Sequence, residues 1–350
     1  MPMKYHFGNS LSWESGQDIS SRFGPQQTGG TRIQHVRPAD LQASLAQSAL
    51  ILAAWATALE VTWQQDRADN PYTAEKPFWQ EIAHEFTEKT HRLWRNGWFH
   101  DYDTARGIWS SERDSMHLAP FFCQIATAEH IEQIRPALLH PPAHGTHWAP
   151  LSWPPVALTL IGATVQVGMR AEAAELATRF ITASYQSTDR RELDEDGGLP
   201  GITREYLCAL TNARDKLQGY TNAGIEGYGW GTLSIHLLIS LLLGLQAVQV
   251  NHLRICPMLP EELRRVGAVY RITSLPWGTS LLSLECQIKD ARTYQMRVQA
   301  QPYRTATASP SGQDENTLFP EATQQCEWEA PWGEGRQVQL PQLILSELKG

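Results

Sequence analysis

Asp18 is the first carboxylate in this 350-residue chain whose surroundings invite chemistry. It lies in Trp13-Glu14-Ser15-Gly16-Gln17-Asp18-Ile19-Ser20-Ser21-Arg22-Phe23, after a glycine, before a Ser-Ser-Arg turn and between two aromatics. Apolar surroundings disfavour the charged form of a carboxyl group and raise its pKa, which suits a general acid. The same side chain also suits the N-cap of a helix beginning near Ile19, and both roles are open at this point. His140, His144 and His147 are spaced by four and three, as one helix face would require of metal ligands. Pro141 and Pro142 make that stretch a loop, however, and no carboxylate accompanies it, so no metal site is expected there. Glu192, Asp194, Glu195 and Asp196 form a charge run best read as a solvated loop.

The bulk properties narrow the class. The chain is 42% hydrophobic and 19% charged, ordinary values for a globular protein. A net charge of −8 with scattered basic residues argues against a nucleic-acid surface. Five cysteines lie far apart, with no paired or Cys/His spacing, which favours reduced thiols and a cytoplasmic location. The polar N-terminus has no apolar signal core, and the run Leu233 to Val248 is too short and too interrupted for a bilayer span. Thirteen tryptophans serve either a thick core or stacking on sugar rings, and composition does not decide between them.

The elements that must position these residues follow from periodicity. Residues 1–37 read as loop. Asp40 is expected to cap a helix whose Leu41, Leu45, Leu52, Trp55, Leu59 and Trp63 recur at helical steps. A second helix, about Glu75 to Arg95, carries Trp79, Ile82, Phe86, Leu93 and Trp94 on its buried face and is closed by Asn96-Gly97. Trp98 to Asp103 is a short aromatic-acidic loop or strand. Further helices are expected at 117–128 and 129–139, from Val156 to about Gly168 behind Pro154-Pro155, from Ala171 to Tyr185, and from Trp230 to Val248. Residues 186–229 form a long charged loop. Near Asn251 the period changes to two. Strands are expected at Val269 to Thr273, Ser280 to Ile288 and Tyr294 to Val298, a turn at Pro276 to Thr279, and a further strand from Gln337 to Leu345. The pattern is mainly α, a helical toroid or solenoid over 1–250, followed by a smaller β-sandwich-like C-terminal domain over 251–350.

Five stretches in order resemble one clan of glycosidases: the trehalases, processing α-glucosidases and glycosylglycerate hydrolases. Glu14 to Phe23 resembles the clan's E-S-G-x-D-x-S-x-R-aromatic segment, with Gln17 where tryptophan is common. Arg37-Pro38-Ala39-Asp40-Leu41 is similar to its V-D-L-N helix start. Gly97-Trp98-Phe99-His100-Asp101-Tyr102-Asp103 resembles G-F-Y-x-D-Y-D. Trp148-Ala149-Pro150-Leu151-Ser152-Trp153 is similar to W-A-P-L-Q-W, and Gly227-Tyr228-Gly229-Trp230 to G-F-G-W.

The resemblance implies an (α/α)6 toroid hydrolysing glycosides with inversion, on α-linked gluco- or manno-configured sugars, without cofactor or metal. It places the general acid at Asp18. Glu205-Tyr206-Leu207-Cys208-Ala209-Leu210-Thr211-Asn212 keeps the glutamate and Leu-Thr of the base-bearing stretch but lacks its proline and glycine, so Glu205 is the first choice for base and Glu226 the second. Arg22 fits the motif as a donor to sugar hydroxyls, with Gln17 and Trp148 as further pocket residues, while Tyr228 and Trp230, at a Gly-x-Gly turn, suit the pocket wall and the core equally. Trp148, in a loop, suits a ligand better than Trp153, which suits the core. Asp101 and Asp103 are expected to fix loops by local hydrogen bonds. With only seventeen residues before Asp18, the resemblance covers the C-terminal half of a toroid plus its cap. Such a half is expected to expose an apolar face and to associate with itself or with a partner chain. The alternative function is a non-catalytic carbohydrate-binding or scaffold remnant.

Overall fold

The computed structural model describes residues 35–63, 70–111, 113–139, 151, 153–188, 229–249, 252–278, 280–302 and 324–340. The chain divides into two compact units, one ending at Ser234 and the other beginning at Ile235.

The first unit is helical, with a small strand cluster. Helices α1 (Ala39–Thr62) and α2 (Tyr72–His91) pack against each other, and α1 also meets the short α3 (Ala119–Phe122). The extent of α1 matches its periodicity, but the buried face does not carry the large apolar residues. Ala39, Ala43, Ala46, Ala49, Ala53 and Ala56 are buried, while Leu41, Leu45, Trp55 and Leu59 are exposed. Alanine has no side chain beyond Cβ, so this face allows close approach of backbones, as ridge-and-groove packing requires. Ala43 and Ala46 meet Cys123 and Ile125, with Phe86 and Phe122 against them. By length and composition alone α1 is apolar enough to cross a membrane; its alanine flank is packed within the protein.

α2 ends at His91, short of the expected Arg95, and Asn96-Gly97 does not close it. Asn96 (φ 50°) and Gly97 (φ 75°) are the two central residues of a hairpin joining β2 (Trp94–Arg95) to β3 (Trp98–Phe99). Two successive left-handed residues match the twist of paired strands, so Asn-Gly makes a turn here rather than a cap. Strands β1 (Val36–Arg37), β4 (Tyr102–Asp103) and β5 (Ile108–Trp109) form a small sheet with β4 in the centre.

The single helix expected at 117–128 is broken. A 3-10 turn at Ser115–Leu118 runs into α3, and Gln124 (φ 59°) ends it, while the Ile125 and Ala126 amides bond back to Pro120 O. α4 (Ala128–Leu138) restarts behind Thr127. α5 (Pro154–Gln166) begins on the two prolines as expected and packs against α6 (Arg170–Thr188).

The helix expected to Val248 stops earlier. In the second unit, after α7 (Thr232–Leu237) and a π-helical segment Leu238–Leu242, Gly244 (φ 70°) turns the chain into β6 (Leu245–Gln249). β6 pairs with β7 (His252–Ile255), which pairs with β12 (Arg336–Gln339). A four-stranded antiparallel sheet runs in the order β11 (Gln324–Pro331), β10 (Thr293–Pro302), β9 (Ser280–Ile288), β8 (Val269–Trp277). One face is apolar, with Leu282, Leu284, Cys286, Ile288, Tyr294, Met296 and Val298 buried. Arg271, Glu285, Arg297 and Glu327 form an ion-pair ladder on the other. Pro276 and Trp277 belong to β8 rather than to the turn. Among the described residues, Cys123, Cys286 and Cys326 carry unbridged thiols.

Candidate active site

The two carboxylates expected as acid and base, Asp18 and Glu205, lie outside the described residues, as do Gln17, Arg22, Trp148, Glu226 and Tyr228. Trp230 is described, and so are the elements on which these segments are hung: β1 after the Asp18 segment, α5 after the Trp148 loop, and the Gly229–Gly231 turn after the Glu205 segment.

Trp230 sits half-buried in a 3-10 turn ahead of α7, with its ring edge-on to Trp153. The two centroids are 5.9 Å apart and the planes 78° to each other. Trp153 is the residue before Pro154 and is buried, as expected of a core side chain. The end of one aromatic motif thus packs on the end of another, and Trp230 stays partly exposed. An indole held by a second indole and partly exposed is a suitable platform for a pyranose ring.

A buried polar hub stands behind β1, and it does not follow the local pattern expected for Asp101. Asp103 does: its Oδ1 accepts the Ala105 and Arg106 amides at 2.9 and 3.0 Å, fixing the loop after it. Asp101 reaches across the fold, and Oδ1 accepts the amide of Ala39 at 2.9 Å. That amide is an orphan donor at the start of α1, where the N-cap residue is Pro38 and no side chain of the helix itself caps it. Asp40, expected as the cap, sits inside the first turn. Asp101 Oδ2 lies 3.2 Å from His117 Nε2. The contact is too oblique for a hydrogen bond, so attraction between neighbouring polar groups holds the pair.

His117 is fully buried, and its tautomer is set by its neighbours. Nδ1 accepts the Asp114 amide at 3.1 Å and the Trp98 indole N–H at 3.3 Å, which leaves the ring proton on Nε2, facing Asp101. Ser110 Oγ accepts the Asp101 amide at 3.0 Å. His100 donates from Nδ1 to Ser110 O at 3.0 Å, and burial together with nearby His117 lowers its pKa. Sequence reasoning missed His117. Its signal is the spacing Asp114-x-x-His117, an N-cap followed by an N3 partner, repeated as Thr127-x-x-His130. The arrangement has the chemistry of a brace: it ties the aromatic-acidic strip, the α1 N-terminus and the turn before α3 together. No group of metal-ligating side chains occurs among the described residues.

Residues 11–240 match the family model Trehalase. The chain belongs to the trehalase family. The matched region holds every motif stretch described above, from the Asp18 segment to Trp230. Among solved structures, this trehalase-family chain is similar to neutral trehalase Nth1 from Saccharomyces cerevisiae, at 18% identity and a TM-score of 0.45, covering 69% of this chain and 44% of that one. It is also similar to the GH63 mannosylglycerate hydrolase from Thermus thermophilus in complex with glucose, at 16% identity and a TM-score of 0.40, covering 59% and 48%. An uncharacterized conserved protein of the same organism aligns at 16% identity, a TM-score of 0.37, and 58% and 45% coverage. The chain spans less than half the length of these solved relatives. No curated protein matches it.

Proposed function

We propose that this trehalase-family chain is an inverting glycoside hydrolase acting on α-linked gluco- or manno-configured glycosides. The observation that carries this reading is the family match over residues 11–240, which includes both carboxylate segments. Inversion needs two carboxyl groups on opposite faces of the sugar, about 6.5–9.5 Å apart, with a water between one of them and the anomeric carbon. In this reading Asp18, protonated between Trp13 and Phe23, delivers its proton to the leaving oxygen. Glu205, ionised, removes a proton from the attacking water. Glu226 is the second choice for that base. Trp230, braced by Trp153, supplies an aromatic face to the ring, and Gln17, Arg22, Trp148 and Tyr228 bind its hydroxyls and faces.

The paired helices α1/α2 and α5/α6 support assignment of the first unit to an (α/α)6 toroid, and the second unit to its β-rich cap. The unbridged thiols of Cys123, Cys286 and Cys326, among the described residues, support a reducing compartment, the cytoplasm. The test is a screen of aryl α-glycosides and α-linked disaccharides, with the first-formed anomer read by proton NMR. The expected product is the β-anomer. A product that retains the α configuration overturns the mechanism, and no turnover of any substrate favours the carbohydrate-binding remnant instead.

A further inference from the structure

The outer face of α1 carries a pattern that its packing within the protein leaves largely open. Leu41, Leu45, Ser48, Leu52, Trp55 and Leu59 follow one another at steps of four, three, four, three and four. That is a heptad seam, with leucine at every a position (45, 52, 59) and Leu41, Ser48 and Trp55 at d. It borders the flank of buried alanines, with Ala49 and Ala56 on its inner edge and Leu52 half-buried. Leu41 is 51% exposed, Ile51 44%, Trp55 63% and Leu59 44%. Asp40 and Glu60, near the two ends, are the only charged residues between Ala39 and Thr62. A helix that is apolar on both flanks is normally buried on both.

We propose that α1 is a homodimer interface, pairing antiparallel with α1 of a second copy of this chain. The seam is self-complementary in that orientation. A two-fold axis through the seam at the level of residue 50 sets Leu41 opposite Leu59, Leu45 opposite Trp55, and Ser48 opposite Leu52. The smallest side chain therefore faces a leucine at the centre, and the largest lies one layer out. The same axis brings Ile51 opposite Ile51. No like charges meet, because the seam and its flanking positions (Gln42, Ser44, Ala49, Ala56, Ala58) are uncharged. The exposed apolar side chains amount to roughly 500 Å² per copy, so pairing removes on the order of 1,000 Å² from water, the lower bound for a specific interface. An isologous contact of this kind closes after two copies and does not propagate.

Sedimentation velocity of the full chain across a wide concentration range tests this, alongside two variants. The chain is expected to be a dimer, and Leu52→Glu a monomer with the same far-UV circular dichroism, because it sets a carboxylate in an apolar seam. Ile51→Cys is expected to give a disulfide-linked dimer under mild oxidation, where the parent chain gives none. That cross-link keeps the test decisive if Leu52→Glu fails to fold. A parent chain that stays monomeric, a Leu52→Glu variant that still dimerises, or a dimer in which Ile51→Cys does not cross-link overturns the proposal. A monomer that partitions onto phosphatidylcholine vesicles also overturns it, and assigns the face to a bilayer.

Discussion

Asp101 caps a helix that begins 62 residues before it, its Oδ1 accepting the Ala39 amide at 2.9 Å. The bond fastens α1 to the aromatic-acidic strip, and the same carboxylate faces His117 in the interior. Asp101→Ala removes the acceptor of a buried amide and leaves His117 without its neighbour. The expected cost is about 1–3 kcal/mol, measured as a shift in urea-unfolding free energy. Asp101→Asn retains a carbonyl oxygen for Ala39 and is expected to recover part of that loss. An alanine variant that unfolds at the parental midpoint would show that the brace is not needed.

His130 is expected to make the protein sensitive to mild acid. Its Nδ1 accepts the Thr127 amide at 3.2 Å, closing the box at the start of α4. Burial first, and then nearby His91, lower its pKa from 6.5, against the opposing pull of Glu129. A histidine whose folded pKa is lowered takes up protons on unfolding. Its contribution is therefore complete above pH 6.5 and is lost as the pH falls from there through the lowered folded value. His130→Gln keeps an acceptor and cannot titrate, so it is expected to flatten this part of the stability–pH curve. An unchanged slope in the variant assigns the acid sensitivity to other groups, His100 among them.

The alanine face of α1 predicts an inverted mutational pattern. Ala46 is fully buried, and Ala46→Leu is expected to destabilise by about 1–3 kcal/mol through overpacking. Leu50→Gln, on an exposed position away from the heptad seam, is expected to change stability by less than about 0.5 kcal/mol. Equal effects in thermal melts would contradict the packing.

Gly244 is required by both conformation and space. Its φ is +70°, and a Cβ there would lie 1.8 Å from Cys256 O. Gly244→Ala is expected to lower stability by more than about 2 kcal/mol and to loosen the β6–β7 pairing, read by amide exchange of Gln246 and Arg254.

The catalytic assignment makes its own prediction. Asp18→Asn and Glu205→Gln are each expected to abolish hydrolysis with no change in unfolding midpoint. Glu226→Gln is expected to leave measurable turnover. Normal turnover in either of the first two variants would refute that variant's role.

The sequence alone determined those features whose causes are local. Pro154-Pro155 starts α5 because proline suits the first helical turn. The alternation from Ser280 to Ile288 makes a strand because its period of two puts every second side chain on the apolar face. The extent of α1 follows from a long run without glycine or proline, and the family resemblance from short motifs in order.

Tertiary structure decided which surface each element buries and which residues far apart in the chain meet. Leucine and tryptophan on α1 mark its more apolar stripe, yet the helices meet on alanine because backbone approach there depends on shape. Asn96-Gly97 fits a helix end as well as a hairpin, and strand pairing chose the hairpin. β6 reads as a continuation of the preceding helix until β7 offers it hydrogen bonds. The contacts of Asp101 with Ala39 and His117, and of Trp153 with Trp230, join distant parts of the chain. No local propensity encodes such contacts, since they arise only when packed elements bring an orphan amide or an indole face within reach.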